Sequence, residues 1–134
     1  MAVVIRPDID IDADLQQIIK NYPPLNNDRH HVTVSVNHGE VSVAGHIKAP
    51  MTRRVLASRF RNVAGVRSVN TDALYDDETI RLAAGKLIPA GALVTSDYGT
   101  VVLAGTLDAD TSAKVIRQLE HIPGVKHVIN AVKA

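Results

Sequence analysis

The chain has 134 residues, 46% hydrophobic but only 3% aromatic, with no Trp, no Cys and a formal net charge of +1. That suffices for one ordinary domain or two very small ones, with a core of Val, Ile, Leu and Ala. Without cysteine, disulfides, Cys-ligated zinc and thiol catalysis are excluded, and the small net charge offers no basic footprint for nucleic acid.

In chain order, "MAVVIRPDIDID" has only a few apolar residues before Arg6 and Pro7, too few for the core of a signal peptide. No later run is long enough to cross a bilayer. A cytoplasmic location is expected, or a periplasmic one if a leader has been removed. The alternating acids Asp8, Asp10, Asp12 and Asp14 invite a calcium reading. An EF-hand loop needs glycine at its sixth position and glutamate at its twelfth. Counted from Asp8, those places hold Ala13 and Ile19, so the reading fails. Instead Asp12 or Asp14 is expected to cap a helix carrying Leu15, Ile18, Ile19 and Tyr22 and stopped by Pro24.

Two alternating runs follow, with Val32, Val34 and Val36 in the first and Val41 and Val43 in the second. A two-residue loop at His38-Gly39 sets Val34 against Val43 and stacks the valines on one face; a three-residue loop would bury serines. Next comes helical spacing at Val55, Leu56, Phe60 and Val63, then a strand opened by Gly65-Val66 and reaching Val69. The same order then repeats. "SDYGTVVLAG" echoes "VNHGEVSVAG" sixty positions later, and Ile80, Ala83, Ala84 and Leu87 restate the first helix before Pro89. Val115, Ile116, Leu119 and Ile122 restate the second, and Gly124 to Val128 closes the copy.

The expected fold is α+β: two repeated αββαβ units, each a three-stranded mixed sheet packed on two helices. Residues 1–11 form an N-terminal segment, 12–75 the first unit and 76–134 the second. Units this small are marginal alone, so packing of the copies or further assembly is expected.

With its strand ending in Gly45-His46-Ile47 or Gly105-Thr106-Leu107, then a helix and a Gly-Val-x-x-Val strand, each copy resembles the BON domain of bacterial osmotic-stress and nodulation proteins. The resemblance implies αββαβ modules without catalytic machinery or cofactor. It also implies roles in envelope maintenance and stress, with contact to anionic phospholipid in dual-domain members.

Three residue groups stand out. The two-residue turn puts His31 across from His46 on the face opposite the valines, where imidazoles about 4.5–5.5 Å apart at Cβ are able to share a metal ion. The plainer reading is a solvent-facing polar pair. Arg53, Arg54 and Arg61 lie around the second helix, a cluster suited to anionic lipid, with Arg59 inside the apolar stripe. The outer sheet face is polar in copy one (Thr33, Ser35, Ser42, Ala44) but more apolar in copy two (Leu93, Thr95, Val102, Ala104), which marks an interface. No Ser-His-Asp grouping, phosphate loop, His-Glu-x-x-His or Gly-x-x-Gly motif can be placed. The sequence therefore reads as a non-enzymatic binding or assembly module with a protein partner, or one that self-associates, with an anionic lipid surface as a further expected contact. A histidine-based metal protein is the weaker alternative.

Overall fold

The computed structural model describes residues 5–134. Residues 1–4, most of the apolar start weighed above as a leader, lie outside that range. The chain divides between Leu74 and Tyr75 into two compact units.

Unit 1 contains α1 (Asp8–Lys20), β1 (Val32–Asn37), β2 (Glu40–Ile47), α2 (Pro50–Arg61) and most of β3 (Ser68–Asp76), with two short 3-10 turns at Pro23–Leu25 and Arg29–His31. Unit 2 repeats the order as α3 (Asp77–Gly85), β4 (Ala92–Asp97), β5 (Thr100–Thr106), α4 (Ala109–Leu119) and β6 (His127–Lys133). The sheets are ordered β1-β2-β3 and β4-β5-β6, so the second hairpin strand is central in each. In unit 2, β4 is antiparallel to β5 and β6 is parallel to it. The α+β architecture of two repeated αββαβ units is thus present.

The hairpin register follows the apolar pattern. Val34 pairs with Val43 and Val36 with Val41, and in the second copy Val94 pairs with Leu103 and Ser96 with Val101. These inward positions meet the helices. Val41, Val43, Leu15, Leu56 and Phe60 are buried together in unit 1, and Val101, Leu103, Ile80, Val115 and Leu119 in unit 2. Both turns are left-handed at two successive residues: φ is 50° at His38 and 79° at Gly39, 48° at Tyr98 and 86° at Gly99. That is the backbone of a type I′ turn, whose twist matches the strands it joins.

Helix starts depart from expectation. α1 begins at Asp8, and neither Asp12 nor Asp14 caps it; its N-cap is Pro7, which makes no side-chain cap bond. Asp14 is drawn to Arg6 by an ion pair of 2.6 Å. Asp8 instead reaches the hairpin tip, where it accepts from the amides of His38 at 2.8 Å and Gly39 at 3.0 Å. Asp77 does the same in unit 2, accepting from the Tyr98 amide at 2.7 Å, the Gly99 amide at 3.2 Å and the Ser96 hydroxyl at 2.7 Å. The turn carbonyls are taken from the other side: Arg67 N donates to Gly39 and Lys126 N to Gly99, each at 2.8 Å. Helix start, hairpin tip and third strand are thereby latched together in both copies. The two amides hold the Asp8 carboxyl below the ordinary carboxylate range.

Candidate interaction surfaces

Alternation along a strand sends every second side chain away from the helices. In unit 1 this outer face carries Thr33, Ser35 and Ser42, all exposed, beside half-buried Ala44. In unit 2 it carries Leu93 and Thr95, both exposed, with half-buried Val102 and Ala104. The register adds β6: Val102 pairs with Ile129 and Ala104 with Ala131. Leu93 is 70% and Ile129 50% exposed, so large apolar side chains flank the central strand on both sides. The sequence reading missed Ile129 and Ala131, although the period-2 pattern of "HVINAVK" was available to find them.

The α2 arginines do not form one cradle. Arg54 and Arg61 are exposed on the solvent side. Arg53 is half-buried, and its Nε donates to the Leu74 carbonyl at 3.1 Å, which holds it against β3. Arg59 lies over the Tyr22 ring, 4.8 Å from its centroid, a cation–π contact between α2 and the segment after α1. The helix runs unbroken through Arg59, so its guanidinium leaves the apolar stripe by stacking rather than by helix distortion.

The histidine pair is not the exposed cross-strand pair that the register suggested. The ladder ends at Val32↔Gly45, and His31 closes the 3-10 turn at Arg29–His31. Its carbonyl passes over Gly45, where any side chain would collide with it. His31 is exposed, whereas His46 is only 5% exposed. Among the described residues, no group of three or more His, Cys, Asp or Glu is placed to hold a metal ion.

Two grooves among the described residues carry charged groups. One of about 470 Å³ opens at the unit 1 hairpin tip beside Asp8, His38 and Arg67. Its Asp8 carboxylate and the His38, Gly39 and Arg67 amides serve the latch. The other, about 460 Å³, lies between Leu87 and Lys114, Arg117 and Gln118 of α4, with His121 of the turn that follows. The i, i+3, i+4 spacing of Lys114, Arg117 and Gln118 places these three along one side of α4, a second basic surface that the sequence reading overlooked.

Two latched αββαβ units with differently dressed outer faces make a repeated scaffold. The BON domain family matches twice, at residues 7–75 and 76–134, and the chain belongs to that family as a tandem BON-domain protein. No curated protein matches it. Among solved structures it is similar to the C-terminal domain of CdsD, "the structural protein of the Type III secretion system of Chlamydia trachomatis", at 17% identity and a TM-score of 0.78. That match covers 98% of this chain and 68% of the other. A second CdsD structure matches at 18% identity and a TM-score of 0.74, over 95% of this chain and 63% of that one. Likeness at this identity speaks for the fold. Among the described residues, no helix is long and apolar enough to cross a membrane.

Proposed function

We propose that the chain is a non-catalytic binding and assembly module whose protein contact is the outer face of the unit 2 sheet, centred on Leu93, Thr95, Val102 and Ala104. The carrying observation is the contrast between copies: the same strands present Thr33, Ser35 and Ser42 in unit 1, yet Leu93 stands 70% exposed in unit 2. Exposed apolar area on a small domain is retained where something covers it. The similar solved chains are described as structural proteins of a secretion system, a use of the fold consistent with building rather than catalysis. Hydrogen exchange read on β4, β5 and β6 across a concentration series tests the contact. Protection of these strands that grows with concentration, and is lost in Leu93→Glu, supports the reading; no change at any concentration counts against self-contact there.

The second surface is α2, where Arg54 and Arg61, with Arg53 behind them, face an anionic phospholipid leaflet. Each basic residue near such a surface contributes about 1 kcal/mol. Co-sedimentation with phosphatidylglycerol vesicles, against phosphatidylcholine vesicles, tests it. Binding only to the anionic vesicles, weakened by Arg54→Glu with Arg61→Glu, is the expected result; equal pelleting with both, or with neither, removes the lipid role. The envelope and stress partners implied by the family belong to this same reading.

A further inference from the structure

β5 runs down the middle of the unit 2 outer face, with β4 along one edge and β6 along the other. The register sets the edges against each other in rows. In one row, Leu93 on β4 and Ala131 on β6 flank Ala104, a large side chain at one edge and a small one at the other. In the next the sizes are reversed, with Thr95 on β4 and Ile129 on β6 either side of Val102. The last row has an acid, Asp97, on β4 and an imidazole, His127, on β6, joined through Thr100.

A twofold rotation about an axis along β5 lays one such face on another. It keeps the rows and exchanges the edges. Leu93 of one copy then covers Ala131 of the other, Ile129 covers Thr95, and Asp97 meets His127, each contact occurring twice as an isologous interface requires. We infer that unit 2 pairs face to face with unit 2 of a second copy of this chain, about a twofold axis along β5. The inference rests on the assembly reading above and adds the partner and the geometry.

The contact is made by the face rather than the β6 edge. Lys133 O accepts from Leu107 N on the β5 side, so the neighbouring Val132 amide points outward. It is turned back to its own strand by the Asn130 side chain at 3.0 Å, which blunts that edge against a new strand. Three strands about 4.8 Å apart, crossed by three rows about 7 Å apart, cover about 300 Å² per copy. Stable interfaces bury about 800 Å² per partner, so this pair is weak and concentration-dependent.

The test uses the full chain, which has no cysteine of its own. Sheet faces about 10 Å apart are too distant for a disulfide, so Val102→Cys, on the axis, is treated with a short bis-maleimide. Ser42→Cys, the matching place in unit 1, is the control. Covalent dimer is expected from Val102→Cys and not from Ser42→Cys. In sedimentation from micromolar to millimolar, Asp97→Lys and His127→Asp each weaken association at least tenfold, and the double variant restores it. Leu93→Glu abolishes association while the melting curve stays unchanged. A wild-type chain that is monomeric at millimolar concentration overturns the inference. Association that is lost in Leu93→Glu but shows no charge-swap rescue overturns this pairing and leaves the unit 2 face as the contact; association that ignores Leu93→Glu overturns both. A monomer that in addition binds no vesicles removes both.

Discussion

At Gly105 φ is 107°, outside the range that L side chains favour, and the Gly91 carbonyl passes directly over the residue. A Cβ built there falls far inside the 3.0 Å below which real contacts of that kind do not occur, and also lies 3.0 Å from Ala92 Cα. Both obstacles are backbone, so no side chain is able to swing aside. In Gly105→Ala, the strained dihedral costs about 1–3 kcal/mol. Moving the Gly91 carbonyl also loosens its bond from Thr106 N, now 3.2 Å, worth about 1 kcal/mol. The expected loss is therefore about 2–4 kcal/mol, in a unit of about 60 residues whose total stability is about 3–9 kcal/mol. Amide hydrogen exchange by mass spectrometry reads this on the β4 and β5 amides directly. Their exchange through unfolding of the unit should accelerate about 30- to 1,000-fold. Gly85→Ala is the control, because Gly85 has ordinary φ and nothing within 4 Å of the added carbon. It should be neutral or stabilising by up to about 1 kcal/mol. If Gly105→Ala behaves like Gly85→Ala, the closing glycine is not the constraint described.

Three further outcomes follow from the latch and the caps. Asp77→Ala removes the acceptor for the Tyr98 and Gly99 amides and the Ser96 hydroxyl; denaturant unfolding should show a loss of about 2–4 kcal/mol, and a loss under 1 kcal/mol would refute the latch. Folding lowers the carboxyls of Asp8, through the His38 and Gly39 amides, and of Asp108, through the Thr111 amide and hydroxyl. Their stabilisation is thus complete above the unfolded value of about 4 and fades as pH falls through the lower folded values. Asp8→Asn with Asp108→Asn should flatten the acid limb of a stability–pH curve, and an unchanged slope would contradict this. His38 holds φ at 50°, where asparagine is more at ease, so His38→Asn should raise stability by about 0.5 kcal/mol. A lower melting temperature would count against the type I′ assignment.

Wherever an apolar pattern had to choose between two registers, the fold was readable from the residues. Val34 against Val43 is one of few solutions that keep the serines out of the core, and it is the one observed. The start of α1 was not readable in that way. Asp8, Asp10, Asp12 and Asp14 are equivalent as cap formers, and what singles out Asp8 is the hairpin tip folded back over it, thirty residues on in sequence. The placement of His31 and His46 was not readable for a related reason. The hairpin register carried one pair further sets His31 against His46, but the ladder ends at Val32↔Gly45 and His31 belongs to the 3-10 turn that precedes the strand. Arg53, Arg54 and Arg61 looked alike as charges; a bond to the Leu74 carbonyl sets the half-buried Arg53 apart from the other two.

Every shared device of the two copies acts on the backbone. Asp8 and Asp77 bind turn amides, Gly39 and Gly99 accept a left-handed bend, and Gly45 and Gly105 let a carbonyl pass. None of these places a demand on the side chains of the outer face. Replacing Ser42 by its counterpart Val102, or Thr33 by Leu93, leaves register, latch and core as they were, because alternate strand positions face away from the helices. Duplication of the unit therefore copies the constraint on folding while leaving the exposed face open to change. The polar face of unit 1 serves as the internal reference for unit 2: the same fold reaches the same register without an exposed leucine, so folding alone does not account for Leu93 and Ile129.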